Sequence, residues 1–318
     1  MRILVCIKQI STSDISIDGS GRWINQGGSS AVAISRFDEN AVEEAILLKE
    51  KLKNSFTSLP SSVKPEKSNK AVSDCEIYVD VISVGKAAAA ESIKRAMGMG
   101  ADNGIHLITE DKGYVSGKVT ALKIAAMIRR LNISYDLILT GIMSEDLMQS
   151  QVGAMLAEYL TIPCVTSVVN INIDDILASI NFNYGFSNNG CNNQNSKSAI
   201  RLDHKNIITV ERELEGGIRQ SVKVKLPALL TIQAGINQPR YPSLSNILRA
   251  NKKEIKSCHV SELFSDNSSK VFEDIDEPLN IVKLKYPEKR REGRVLNGTT
   301  EDKALELMSI LKQKGLMI

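Results

Sequence analysis

The chain has no excess of either charge: 40 basic against 37 acidic residues leave a formal net charge of +3 over 318 residues. That balance gives no electrostatic drive toward nucleic acid or an acidic membrane. Aromatic residues are scarce, at 4%. The five cysteines, Cys6, Cys75, Cys164, Cys191 and Cys258, are scattered and include no C-x-x-C pair. They offer neither a disulfide framework nor a metal signature, and they point to a reducing, cytoplasmic setting. Sequons such as Asn132-Ile133-Ser134 therefore carry no weight. Long apolar runs are also missing. The N-terminal Ile3–Ile7 run is too short for a signal peptide, and no stretch approaches the roughly 20 apolar residues of a spanning helix.

Catalytic and phosphate-cradling signatures are equally absent. There is no Walker A sequence and no G-x-S-x-G elbow. No cysteine has a neighbouring base to lower its pKa. His106, His204 and His259 lie far apart in sequence without metal spacing, which favours structural or surface roles. Gly98-Met99-Gly100-Ala101-Asp102-Asn103-Gly104 superficially looks like a dinucleotide fingerprint, but it follows a helix and precedes a strand. Its glycines suit a helix C-cap instead.

Hydrophobic residues make up 42% of the chain, enough for one large α/β domain with an appendage. Residues 2–7 predict a buried strand, and Asp38 can cap a helix through Ala41, Ala45, Leu48 and Leu52. Strands follow at Tyr78–Val84, Gly104–Ile108 and Tyr135–Thr140, alternating with helices at Ala87–Met97, Lys118–Leu131 and Gln151–Leu160. Crossovers of this length imply parallel pairing in a doubly wound sheet. Beyond about residue 165 the pattern becomes β-rich, with strands at Ile207–Glu213, Ile218–Lys225 and Ala228–Ile232 and a Gly216-Gly217 turn between the first two. Residues 54–74 and 183–197 read as polar insertions. The last 70 residues are poorly periodic until an amphipathic helix at Glu301–Lys312. Residues 1–250 thus form the α/β domain with its β-rich extension, and residues 251–318 a C-terminal arm suited to wrapping a partner.

Ligands of such sheets bind beyond the carboxyl ends of the strands, at the switch in strand order. This directs attention to residues 8–14, 34–39, 84–87 and 141–152. The segment Gly141–Gly153 combines a glycine turn, acids, amides and a helix start. It is either a ligand-binding loop or an ordinary strand–helix connector.

Several stretches together resemble the β subunit of electron transfer flavoproteins. Val210–Val222 followed by Pro227-Ala228-Leu229-Leu230-Thr231 is similar to the family signature. Asn237-Gln238-Pro239-Arg240-Tyr241-Pro242-Ser243-Leu244 is similar to its N-x-P-R-Y-x-x-L segment. Ile3–Lys8, Arg36–Ala45 and Ala96–His106 extend the likeness, which runs from residue 1 to about 256.

The resemblance implies an adenine nucleotide α-hydrolase-like fold and an adenine nucleotide in this subunit, AMP or a second FAD. By position the site takes in Cys6, Ser35, Arg36, Phe37, Asp38, Val84, Gly141, Ser144, Asp146, Gln149, Ser150, Gln151 and Val152. It also implies pairing with an α subunit that holds the redox-active FAD, a role for Glu213 in orienting the flavin domain, and Leu244 as the anchor toward acyl-CoA dehydrogenase-type or other flavin or iron–sulfur partners. Ser35-Arg36 and Gly141-Ile142-Met143 depart from the common pattern, the latter losing a cation and an amide. The function implied is an electron-carrying subunit with no catalytic residues or metal of its own. The alternatives are a bifurcating form whose own FAD oxidises NADH, an ATP-binding stress-type protein, and a structural subunit whose nucleotide merely fills a cavity.

Overall fold

A computed structural model of the chain describes residues 1–12, 15–17, 19–20, 24–26, 32–57, 77–110, 115–172, 174, 207–263, 283–286 and 293–316. The chain divides into two compact units, Met1–Ser16 with Ile24–Ile281, and Ile17–Trp23 with Val282–Ile318.

In the first unit, strands β1 (Arg2–Cys6), β2 (Gln9–Ser11), β3 (Ile15–Ile17), β4 (Ile24–Gln26) and β5 (Val32–Ile34) lead into helix α1 (Arg36–Thr57). There follow β6 (Tyr78–Gly85), α2 (Ala89–Met99), β7 (Asn103–Ile108), α3 (Gly117–Leu131), β8 (Leu137–Gly141), α4 (Val152–Leu160) and β9 (Cys164–Ile171). The chain continues with β10 (Ile207–Glu213), β11 (Arg219–Lys225), β12 (Ala228–Ile232), α5 (Leu244–Lys252), β13 (Ile255–His259) and α6 (Val260–Leu263).

One nine-stranded sheet runs in the order β11-β10-β9-β12-β8-β1-β6-β7-β13. Its pairings are parallel except where β10 meets β9 and β11. Strand β1 is buried on both faces, which explains why Ile3-Leu4-Val5 is an unbroken apolar run rather than an alternating one. Ile3 and Val5 face one core with Ala41, Ala45 and Leu52 of α1, while Leu4 and Cys6 face a second with Ala121 and Ala125 of α3. After β1 the chain moves to β6 and β7 on one side, then returns to β8 on the other. The switch in strand order therefore falls at β1.

Local signals terminate the helices. Gly100, at φ +140°, closes α2 with its N–H on Ala96 O, the C-cap that the glycine spacing predicts. Ser116 caps α3 by accepting from Val119 N at 3.3 Å, and Asn132 ends it in the left-handed conformation.

Four expectations need correction. Helix α1 begins at Arg36, so Asp38 lies inside its first turn, and its carboxylate serves strand ends rather than capping the helix. Residues 54–57 are the last turn of α1; 58–74 and 183–197 lie outside the described residues. The sheet also continues past residue 250, because β13 adds parallel to β7 with Cys258 turned into the core. Leu244 opens a helix rather than sitting in a loop.

In the second unit, helix α7 (Thr300–Gln313) starts with a capping box between Thr299 and Asp302. Its Leu305, Leu307 and Met308 are exposed. Ile17 N donates to Tyr286 Oη at 2.8 Å.

Candidate functional site at the strand ends

Parallel strands finish with backbone N–H groups that the ladder no longer satisfies, and these must find partners. At the switch point one side chain serves two strands. Asp38, 7% exposed, accepts from Lys8 N at 2.8 Å through Oδ2 and from Gly141 N at 2.9 Å through Oδ1. It thereby ties the chain leaving β1 to the last residue of β8. Burial pushes the Asp38 carboxyl up to about 7, against the pull of those two N–H groups. Burial, assisted by Asp38, also drives the Cys6 thiol well above its ordinary value, so Cys6 is an inert wall rather than a nucleophile.

Only glycine fits where β8 ends. A Cβ on Gly141 would lie 2.5 Å from Asp38 Oδ1 and 2.7 Å from Phe37 Cβ. The loop after it folds on itself, with Met148 N donating to Ser144 O at 2.8 Å and Ser144 N to Gln149 O at 3.0 Å. Gln151 precedes the nine-residue α4 without a side-chain cap bond of its own.

Two ion pairs span the crevice between α1 and this loop. Arg36 directs its backbone N–H and its Nη2 to the Glu145 carboxylate, each at 2.9 Å. Lys8 Nζ reaches Asp146 Oδ1 at 2.7 Å. Lys8 and Glu145 lie in the segments 8–14 and 141–152 that topology points to, but not among the residues that the resemblance names. The signal for Lys8 is a cation directly after the buried run of β1; Glu145 shows only as half of an acidic pair.

The sequence-predicted residues divide cleanly. Cys6, Ser35, Arg36, Phe37 and Asp38 gather at the end of β1 and the start of α1, and Val84 lies near the end of the adjacent β6. Gly141, Ser144, Asp146, Gln149, Ser150, Gln151 and Val152 form the facing loop and the start of α4. Ser35 Oγ is fully buried and finds no hydrogen-bond partner among the described residues. Glu213 and Leu244 stand elsewhere. Glu213 ends β10, which β9, β12 and β8 separate from β1, and accepts from Gln233 Nε2 at 3.0 Å. Leu244 is 73% exposed at the start of α5.

His106 is buried with Nε2 3.2 Å from both Gly85 O and Lys86 O, so it donates to the turn after β6 and braces it. Burial lowers its pKa, in keeping with a structural imidazole. His204 lies outside the described residues. Among the described residues no group of His, Cys, Asp or Glu could hold a metal ion, and no helix is long and apolar enough to cross a membrane.

A family model described as "Electron transfer flavoprotein domain" matches residues 70–183 and 196–263. The chain is 28% identical over 309 residues to the electron transfer flavoprotein subunit beta of Bacillus subtilis, covering 97% of this chain and 93% of that protein. It is 28% identical to the human protein of the same name, covering 98% of each chain, and 29% identical to the bovine one, covering 87% and 85%. The chain belongs to the electron transfer flavoprotein domain family.

Proposed function

We propose that the chain is the electron-carrying β-type subunit of an electron transfer flavoprotein, pairs with an FAD-binding α subunit, and holds an adenine nucleotide across the ends of β1, β6 and β8. The observation that carries this reading is the double use of Asp38, which fixes the ends of the two strands that flank the order switch, with Lys8 and Arg36 beside them.

The residues present fit an adenylate. The start of α4, where Gln151 makes no side-chain cap bond, suits a phosphate. Lys8 and Arg36 are cations paired with the partly exposed Asp146 and Glu145, carboxylates that also suit ribose hydroxyls. The buried hydroxyl of Ser35 adds an unclaimed donor and acceptor. AMP and FAD share this adenylate half. A flavin supplies one-electron chemistry when bound; the side chains here bind, orient and exclude water.

Free Cys6, Cys164 and Cys258 support a cytoplasmic setting. The arm that packs on the α subunit lies beyond β13 and includes the exposed Leu305, Leu307 and Met308 on α7. Leu244 is the anchor toward a dehydrogenase-type partner, and Glu213 helps orient the flavin domain.

Co-expression with an α subunit tests the reading. A flavin-containing heterodimer reduced by a dehydrogenase is the expected outcome. A chain that stays monomeric and flavin-free beside the α subunit would refute it.

A further inference from the structure

The exposed apolar tip that opens α5 is held by polar attachments to α1 and α2. Arg240 presents its guanidinium to two carboxylates at once. Nε and Nη2 donate to Glu43 at 3.0 and 2.9 Å, while Nη1 and Nη2 donate to Glu50 at 2.7 and 3.0 Å. Its backbone N–H adds a bond to Glu43 at 3.1 Å. Glu43 and Glu50 are seven residues apart on α1, two turns along one face, and Glu43 is only 3% exposed. A planar fork satisfies both; a lysine ammonium could not.

Asn237 makes a second attachment, donating to Asn40 O at 3.0 Å and Glu44 at 2.9 Å while Asn40 Nδ2 donates back to it. A third is Arg95, which pairs with Glu39 of α1 and lies 5.3 Å from the Tyr241 ring. Lys94 Nζ donates to the carbonyls of Ala250 and Asn251 at the far end of α5. Between these points Pro242 and Ala250 are buried, while Tyr241, Leu244 and Leu248 are exposed.

Leu244 and Leu248, four residues apart, share one face of α5. The helix that clamps them, α1, also carries Asp38, the residue fixing the strand ends.

The geometry points to Arg240 as a positioning residue. Its fork on Glu43 and Glu50 holds the Tyr241–Leu248 tip at a fixed place relative to the nucleotide crevice, so that a partner docks with no ordering cost and at a set distance. This rests on the reading that the tip docks a redox partner. The burial of Glu43 explains why the clamp stays closed without a partner. The outward side chains of the tip explain why closing it gains little apolar burial of its own.

The test uses the flavin-loaded heterodimer with Arg240→Gln, Arg240→Lys and, should these fail to fold, Glu50→Gln, which removes one arm of the fork. Three readouts are needed: amide exchange of residues 237–248, electron transfer from a reduced acyl-CoA dehydrogenase, and reduction of a small dye that needs no docking.

Faster exchange across 237–248, with a KM for the dehydrogenase raised about tenfold and dye reduction unchanged, is expected. Arg240→Lys should fall short of rescue. Unchanged exchange in every variant, or a dye rate lost together with the flavin, would overturn the positioning role. Leu244→Ala separates the two ideas. If it leaves dehydrogenase transfer untouched while exchange in Arg240→Gln still rises, the docking reading is wrong and the role in transfer falls with it.

Discussion

Asp38 Oδ1 and the amide nitrogen of Gly141 lie 2.9 Å apart although 103 residues separate them in sequence. The bond makes the first turn of α1 part of the floor of the crevice, and it leaves no room for a side chain at position 141.

Gly141→Val should therefore force Asp38 and Phe37 aside. Overpacking of this kind costs about 1–3 kcal/mol. A lower melting temperature together with loss of bound adenine nucleotide is expected. A variant with both unchanged would show that β8 ends more loosely than described.

The carboxyl of Asp38 is raised from 3.8 to about 7 by burial. Between those values the folded chain keeps a proton that the unfolded chain has released. The contribution of this group is full below the lower value and declines as pH rises to about 7. Urea unfolding across the window should show that decline in the native chain and a flatter profile in Asp38→Asn. The variant also turns an amide N–H toward a backbone N–H and should cost about 1–3 kcal/mol at all pH values.

Arg36 and Lys8 make partly exposed pairs with Glu145 and Asp146. Such pairs contribute about 0–1 kcal/mol to stability. Arg36→Ala should hardly move the melting temperature, yet it should weaken nucleotide retention several-fold and more so at low salt. Retention equal to the native chain in dialysis would remove Arg36 from the site.

Leu244 is 73% exposed at the start of α5. An anchor filling a partner pocket commonly contributes about 2 kcal/mol or more. Leu244→Ala should slow electron delivery to the partner while bound flavin and heterodimer stability hold. Stopped-flow transfer at native speed would place docking elsewhere.

The parallel core is legible in sequence because buried parallel strands are apolar on both faces, as Ile3-Leu4-Val5 and Tyr78–Val84 show. The strand ends follow from that topology, and so do Val84 and the 141–152 loop. Asp38 reads as a helix cap because its true partners, Lys8 and Gly141, are distant in sequence and offer backbone rather than side-chain chemistry. Helix α5 is hidden by the nearby Pro239 and Pro242 and by leucines that face outward, with only Ala250 of its residues buried. Strand β13 is hidden for a related reason. As an edge strand with Cys258 alone fully buried, it lacks the apolar run that marks the others. The Arg240 clamp has no local pattern at all, since Glu43 and Glu50 lie nearly 200 positions away.

Acid extraction of the purified heterodimer, followed by chromatography of the released adenine nucleotides, tests the central claim most directly. One FAD from the α subunit and one further adenine nucleotide, AMP or FAD, are expected per heterodimer, and Gly141→Val should lose only the second. Recovery of a single adenine nucleotide from the native heterodimer would contradict the account.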